Sequence, residues 1–178
     1  MNIVQLKSIR NLYVFRQDIK DFFISQLDKK KLYFVTLTFP LTWREKALKL
    51  HLLKIRYYLK LSNRRKKKAQ DSFDYFWIKE ESSHRNIHFH MIINWNYENY
   101  SEIQKDWNRI ISQDIKAPST HVDPITSHES INKCVNYMFK DILKLEDQMS
   151  IQPYGMSKNL SDFLIKKLWE KRLTLSEN

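Results

Sequence analysis

The sequence predicts an α+β fold, an antiparallel β-sheet with helices packed on it. Three observations carry that prediction. The runs "KLYFVTLTFP", "FDYFWIKEE" and "NIHFHMIINW" are short and dense in β-branched and aromatic residues. The last two are joined by "SSHR" and read as a hairpin. The segments around them place apolar residues at helical spacing.

Taken in order, residues 3–28 carry Ile3, Leu6, Ile9, Val14, Ile19, Phe23 and Leu27 in a helical pattern, enough for one or two helices. Residues 31–40 form a strand that stops at Pro40. Residues 42–61 put Trp43, Ala47, Leu50, Leu53 and Tyr57 on one stripe, with Thr42 as the cap of that helix. "SNRRKKKAQDS", 62–72, is an exposed basic loop. After the hairpin, a helix over roughly 101–112 carries Ile103, Trp107, Ile110 and Ile111. "THVDPIT", 120–126, is a short strand whose Pro124 assigns it to a sheet edge. Thr126 and Glu129 have capping-box spacing before the amphipathic run "SINKCVNYMFKDILKL". From Glu146 the chain is polar up to "YGMSKNLS" and helical through "DFLIKKLWEKRL", with Trp107 and Trp169 as core anchors. This order suggests a ferredoxin-like or RRM-type plan. Residues 1–30 are expected to form a helical extension, 31–145 the core, and 146–178 a second helical extension packing on it.

Composition narrows the function classes. With 31 basic against 20 acidic residues the net charge is +11, which favours an anionic partner, nucleic acid ahead of an acidic membrane surface. A single glycine, Gly155, excludes a Walker-type phosphate loop and a dinucleotide fingerprint, so no nucleotide cofactor is expected. The lone cysteine, Cys134, excludes a disulfide framework and fits an intracellular, reducing compartment. The amino terminus is broken by charge and lacks a signal-peptide core, and no apolar run reaches the ~18 residues of a membrane span.

Two clusters carry candidate chemistry. His88 and His90 stand two apart in a strand, so both point to one face with Cα atoms about 7 Å apart, and two imidazoles so placed can share an ion. A third ligand would come from the adjoining strand, where alternation lets only one of Glu80 and Glu81 face the histidines; both stay open at this point. Two imidazoles and a carboxylate suit Mn²⁺, Zn²⁺ or Fe²⁺ by ligand softness, and Mg²⁺ also fits a site that a phosphate oxygen completes. The plain alternative is a tolerated pair of core histidines. In the later helix, Ile131, Cys134, Val135, Met138, Ile142 and Leu145 make one apolar face. Lys133, Tyr137, Lys140 and Lys144 follow the same period on the other side, setting a phenol among ammonium groups suited to phosphate. An ordinary exposed tyrosine on a solvated lysine face is the alternative there.

"FVTLTF" (34–39), "HFH" (88–90) and "YMFK" (137–140) stand in the order of three motifs of one family. With them, the sequence resembles the HUH endonuclease superfamily, specifically the single-tyrosine replication initiators of rolling-circle plasmids and small single-stranded DNA viruses. The resemblance spans roughly 31–160, and "YGMSKNL" (154–160) is similar to a segment that follows the tyrosine helix in some members. It implies a site-specific nuclease in which Tyr137 attacks a phosphodiester, Lys140 assists, and His88, His90 and Glu80 or Glu81 hold Mn²⁺ or Mg²⁺. The partners it implies are single-stranded origin DNA and a helicase supplied by the host or encoded separately. Arg64, Arg65, Lys66, Lys67 and Lys68 of the basic loop, with Lys133 and Lys144, are the expected DNA-backbone contacts. A base-reading aromatic would be Phe34, Trp77 or Phe89. The competing readings are an RRM-like binder without catalysis, and a relaxase or single-tyrosine transposase.

Overall fold

A computed structural model describes residues 9–29, 31–38, 74–81, 87–94, 120–140 and 154–176. The helices expected over 42–61 and 101–112, with Trp107, and the basic loop lie outside the described residues. Those described form α1 (Ile9–Ile24), β1 (Leu32–Thr38), β2 (Tyr75–Glu81), β3 (Ile87–Asn94), β4 (Thr120–Ile125), α2 (His128–Phe139), β5 (Tyr154–Met156) and α3 (Lys158–Ser176). Every neighbouring strand pair is antiparallel, and the five-stranded sheet runs β4-β1-β3-β2-β5. The fold is α+β. β2 and β3 pair as the expected hairpin, and β4 with its Pro124 lies at an edge, where a residue lacking an N–H costs no ladder bond.

The register sorts side chains by parity. Leu32, Phe76, Ile78, Ile92 and Ile125 project from the face that meets the helices. There they join Phe15, Ile19 and Phe23 of α1, Ile131, Val135 and Met138 of α2, and Leu160 and Leu164 of α3 in one core. Burying a side chain such as Phe23 or Phe76 contributes about 1.5–3 kcal/mol. Tyr33, Val35, Leu37, Phe89, Met91 and Ile93, on the opposite face, are buried too. Burial on both faces explains why β3 reads as an almost continuous apolar run instead of an alternating one.

Polar anchors fix the end of the sheet where β2 begins. The buried Asp74 carboxylate accepts hydrogen bonds from Asn94 Nδ2 (3.1 Å), Gln26 Nε2 (3.2 Å) and Ser157 Oγ (3.2 Å). One group thereby ties the chain after α1, the start of β2, the end of β3 and the β5–α3 junction. β5 itself is too short for a periodic signal and was not expected from the sequence. Its Gly155 pairs with Trp77, whose indole lies so close that an added Cβ would come within 2.5 Å of the ring. The only glycine is therefore a contact surface for a tryptophan.

Two further expectations need correction. The capping box of α2 is Ser127–Ser130, not Thr126–Glu129. Ser127 Oγ accepts from Ser130 N (3.1 Å) and Ser130 Oγ accepts from Ser127 N (3.0 Å), while Glu129 pairs with Lys133 one turn on at 2.7 Å. A second serine in the N3 position thus fills the role ascribed to a glutamate. Trp169 is 60% exposed and does not anchor the core, because α3 turns Leu160 and Leu164 inward and leaves Ile165, Leu168 and Trp169 on its outer side. No described helix is long and apolar enough to cross a membrane.

Candidate active site

Beyond the helix-covered core, the same sheet face becomes polar. The ladder sets Thr38, His88 and Glu80 in one cross-strand row and Thr36, His90 and Ile78 in the next. Glu80 Oε2 accepts a hydrogen bond from His90 Nε2 at 2.6 Å. The Nδ1 atoms are held from β1, His90 by Thr36 Oγ1 at 3.1 Å and His88 by Thr38 Oγ1 at 3.0 Å. The two imidazoles lie nearly parallel with centroids 6.2 Å apart. Glu81 pairs with Ile87, one residue out of phase with the histidines. Of the two glutamates, Glu80 shares their face.

Burial holds both imidazoles below the usual histidine range. At His88 the charge of Glu80 opposes that shift; at His90 the Glu80 hydrogen bond and charge oppose it, while His88 and Lys140 reinforce it. Both rings are therefore neutral near pH 7, the form in which a ring nitrogen offers a lone pair.

α2 lays its carboxyl-terminal turn over this row. The Tyr137 ring stands at 90° to His90 with centroids 5.0 Å apart, and at 90° to Phe34 with centroids 6.1 Å apart. Lys140, the C-cap of α2, puts Nζ 3.9 Å from the Tyr137 ring centroid and 3.8 Å from Glu80 Oε1. Tyr137 is 41% exposed. A phenol, an ammonium, a carboxylate and two neutral imidazoles thus meet at one partly open surface, a group able to receive and polarise a phosphodiester.

A family model describing the replication-associated protein ORF2 matches residues 32–146. The chain belongs to this replication-associated protein family. The match runs from the first residue of β1 past the end of α2, so in this family member it contains every group of the cluster just described. The crystal structure of the hypothetical protein ORF119 from Sulfolobus islandicus rod-shaped virus 1 is similar over 81% of this chain and 98% of that one, at 14% identity and a TM-score of 0.38. No curated protein matches the chain.

As donors, the residues of this replication-associated protein fit a divalent ion. With Nδ1 occupied by a threonine, each imidazole has Nε2 left for a metal, and Glu80 adds a carboxylate on the same face. Among the described residues no three His, Cys, Asp or Glu side chains converge on one point, since Glu80 bonds His90 directly.

The remaining candidates fall elsewhere. Lys133 is exposed and paired with Glu129, away from the cluster. Arg64, Arg65, Lys66, Lys67, Lys68, Lys144 and His84 lie outside the described residues. His121 is exposed and paired with Asp123 at 2.8 Å. Among the aromatic candidates Phe34 stands on the histidine face, parallel to His90 at 5.9 Å, whereas Trp77 and Phe89 pack together on the other face. Sequence reasoning missed Thr36 and Thr38. Their signal was present in "FVTLTF": hydroxyls two apart in one strand, matching the spacing of histidines two apart in another.

Proposed function

We propose that this replication-associated protein is a metal-dependent, site-specific single-stranded DNA endonuclease and strand transferase of the HUH type that starts rolling-circle replication. The observation that carries the reading is the meeting of Tyr137 with His90 across 5.0 Å, with Lys140 between the tyrosine and Glu80. Tyr137 Oη attacks the scissile phosphorus in line. A bond forms between that oxygen and phosphorus as the bond from phosphorus to the 3′ oxygen breaks. The phenolic proton passes to solvent and the departing oxygen takes one up, leaving a 5′-phosphotyrosine link and a free 3′-OH that primes synthesis. Attack by a 3′-OH reverses the step and rejoins a strand.

Lys140 sets positive charge beside the attacking ring, where the phosphate must enter. His88, His90 and Glu80 would hold Mn²⁺ or Mg²⁺. Such an ion supplies Lewis-acid polarisation of a non-bridging phosphate oxygen. Phe34, half-buried beside Tyr137, is the side chain on which a base flanking the cut would stack. Because one glycine leaves no phosphate loop, strand separation falls to a helicase from the host or another gene.

The test is incubation of the chain with an origin-like oligonucleotide and Mn²⁺. An SDS-resistant protein–DNA adduct that disappears in Tyr137→Phe is the expected result. Metal-dependent cleavage that persists in that variant would place the nucleophile elsewhere, and binding without cleavage under any divalent ion would leave a nucleic-acid binder.

A further inference from the structure

The threonine row does more than fill space. Each imidazole has a hydroxyl at Nδ1 because the β1–β3 register pairs Thr36 with His90 and Thr38 with His88, so both contacts come from one strand alignment. A hydroxyl is an unusual neighbour for a histidine, since it can donate to a bare ring nitrogen or accept from a protonated one. A backbone carbonyl or a carboxylate in the same place would accept only.

That versatility has a use here. Nε2 of His90 faces the Glu80 carboxylate, which can only accept, so the proton of the neutral ring sits on Nε2 and Thr36 donates to Nδ1. An ion at Nε2 needs the lone pair there, and the proton then belongs on Nδ1. The ring stays neutral through the change: one proton leaves Nε2 for solvent and another is taken up at Nδ1. With a rotation of its O–H, Thr36 becomes the acceptor and its bond to the ring survives.

We infer that Thr36 and Thr38 are positioning residues for the divalent ion, hydroxyl partners that serve both tautomers and let His90 exchange its Glu80 hydrogen bond for a metal without losing its hold on β1. The inference rests on the metal reading given under the proposed function and assigns roles to two side chains outside the donor set. Valine at either position keeps the β-branched shape that suits a strand and removes both hydrogen-bonding modes; serine keeps the hydroxyl.

The experiment uses the full chain with ¹⁵N-labelled histidine. In the metal-free protein the ring-nitrogen shifts of His90 should report a protonated Nε2 and a bare Nδ1, with the order exchanged on adding Zn²⁺, a diamagnetic probe. Thr36→Val and Thr38→Val should weaken Mn²⁺ binding, measured by calorimetry, by about 10–100-fold, the usual effect of removing a partner behind a metal ligand. Thr36→Ser and Thr38→Ser should bind nearly as the unaltered chain does, which separates a lost hydrogen bond from a disturbed strand. Valine variants that bind Mn²⁺ as tightly as the original would overturn the inference and leave the metal reading standing. An unaltered chain that binds neither Mn²⁺ nor Zn²⁺ would overturn the metal reading, and the inference with it.

Discussion

Tyr137 and His90 stand at right angles with ring centroids 5.0 Å apart, although one comes from the last turn of α2 and the other from the middle of β3. The contact joins two motifs 47 residues apart in the chain into one surface. Its aromatic component and its hydroxyl component can be separated by mutation.

Tyr137→Phe keeps both ring contacts, to His90 and Phe34, and loses only the hydroxyl. The variant should melt within a degree or two of the parent, because half-exposed substitutions that preserve packing shift stability by about 0.5 kcal/mol or less. The covalent adduct should be lost entirely. Tyr137→Ala should also lose the adduct, with an additional cost of about 0.5–1.5 kcal/mol from the missing aromatic pairs, read by urea unfolding.

Glu80 and Glu81 are chemically identical neighbours with different partners across the hairpin. Glu80→Gln should reduce Mn²⁺ affinity at least about tenfold and nicking with it, whereas Glu81→Gln should leave both within about twofold. Equal effects of the two substitutions in calorimetry would contradict the assignment of Glu80 to the ion.

That pair also marks where sequence reasoning stops. The hairpin, the amphipathic α2 and the edge position of β4 were legible, because alternation, helical period and a proline each leave a local trace. Glu80 against Glu81 was not, since parity across two strands depends on a loop alignment that neither strand encodes. The same parity selects Phe34 over Trp77 and Phe89. β5, three residues with a glycine at the centre, has no period to detect. Trp169 looked like a core residue by type alone, yet α3 turns that side of the helix to solvent. What a side chain touches was readable wherever it followed from period, and hidden wherever it followed from register.

Gly155→Ala should destabilise the fold by about 1–3 kcal/mol, the usual range for overpacking, because the new methyl would meet the Trp77 indole at 2.5 Å. Trp77→Phe should offset part of that loss in the double variant, so the two changes should be non-additive in urea titrations followed by circular dichroism.

Cys134 supplies a pH test. Burial first, and the charge of Asp123 second, push its thiol up to about 11. Since the thiolate is the reactive form, iodoacetamide at pH 8 should label the folded chain far more slowly than the urea-unfolded one. The sign for stability follows. The folded pKa lies above the unfolded one, so the contribution is fully present below the unfolded value near 9 and is lost as pH rises from there through about 11. Cys134→Ser should flatten that alkaline decline in melts taken across the same window.

The threonine–histidine–glutamate rows have one further consequence. Because their members come from three strands, shifting β1 or β2 by a single residue would turn the whole contribution of that strand to the far side of the sheet. A chain that mispairs while folding would therefore be chemically silent instead of loosely active. In a nicking enzyme that silence would be valuable: the proofreading of strand alignment would double as a safety catch on the genome it cuts.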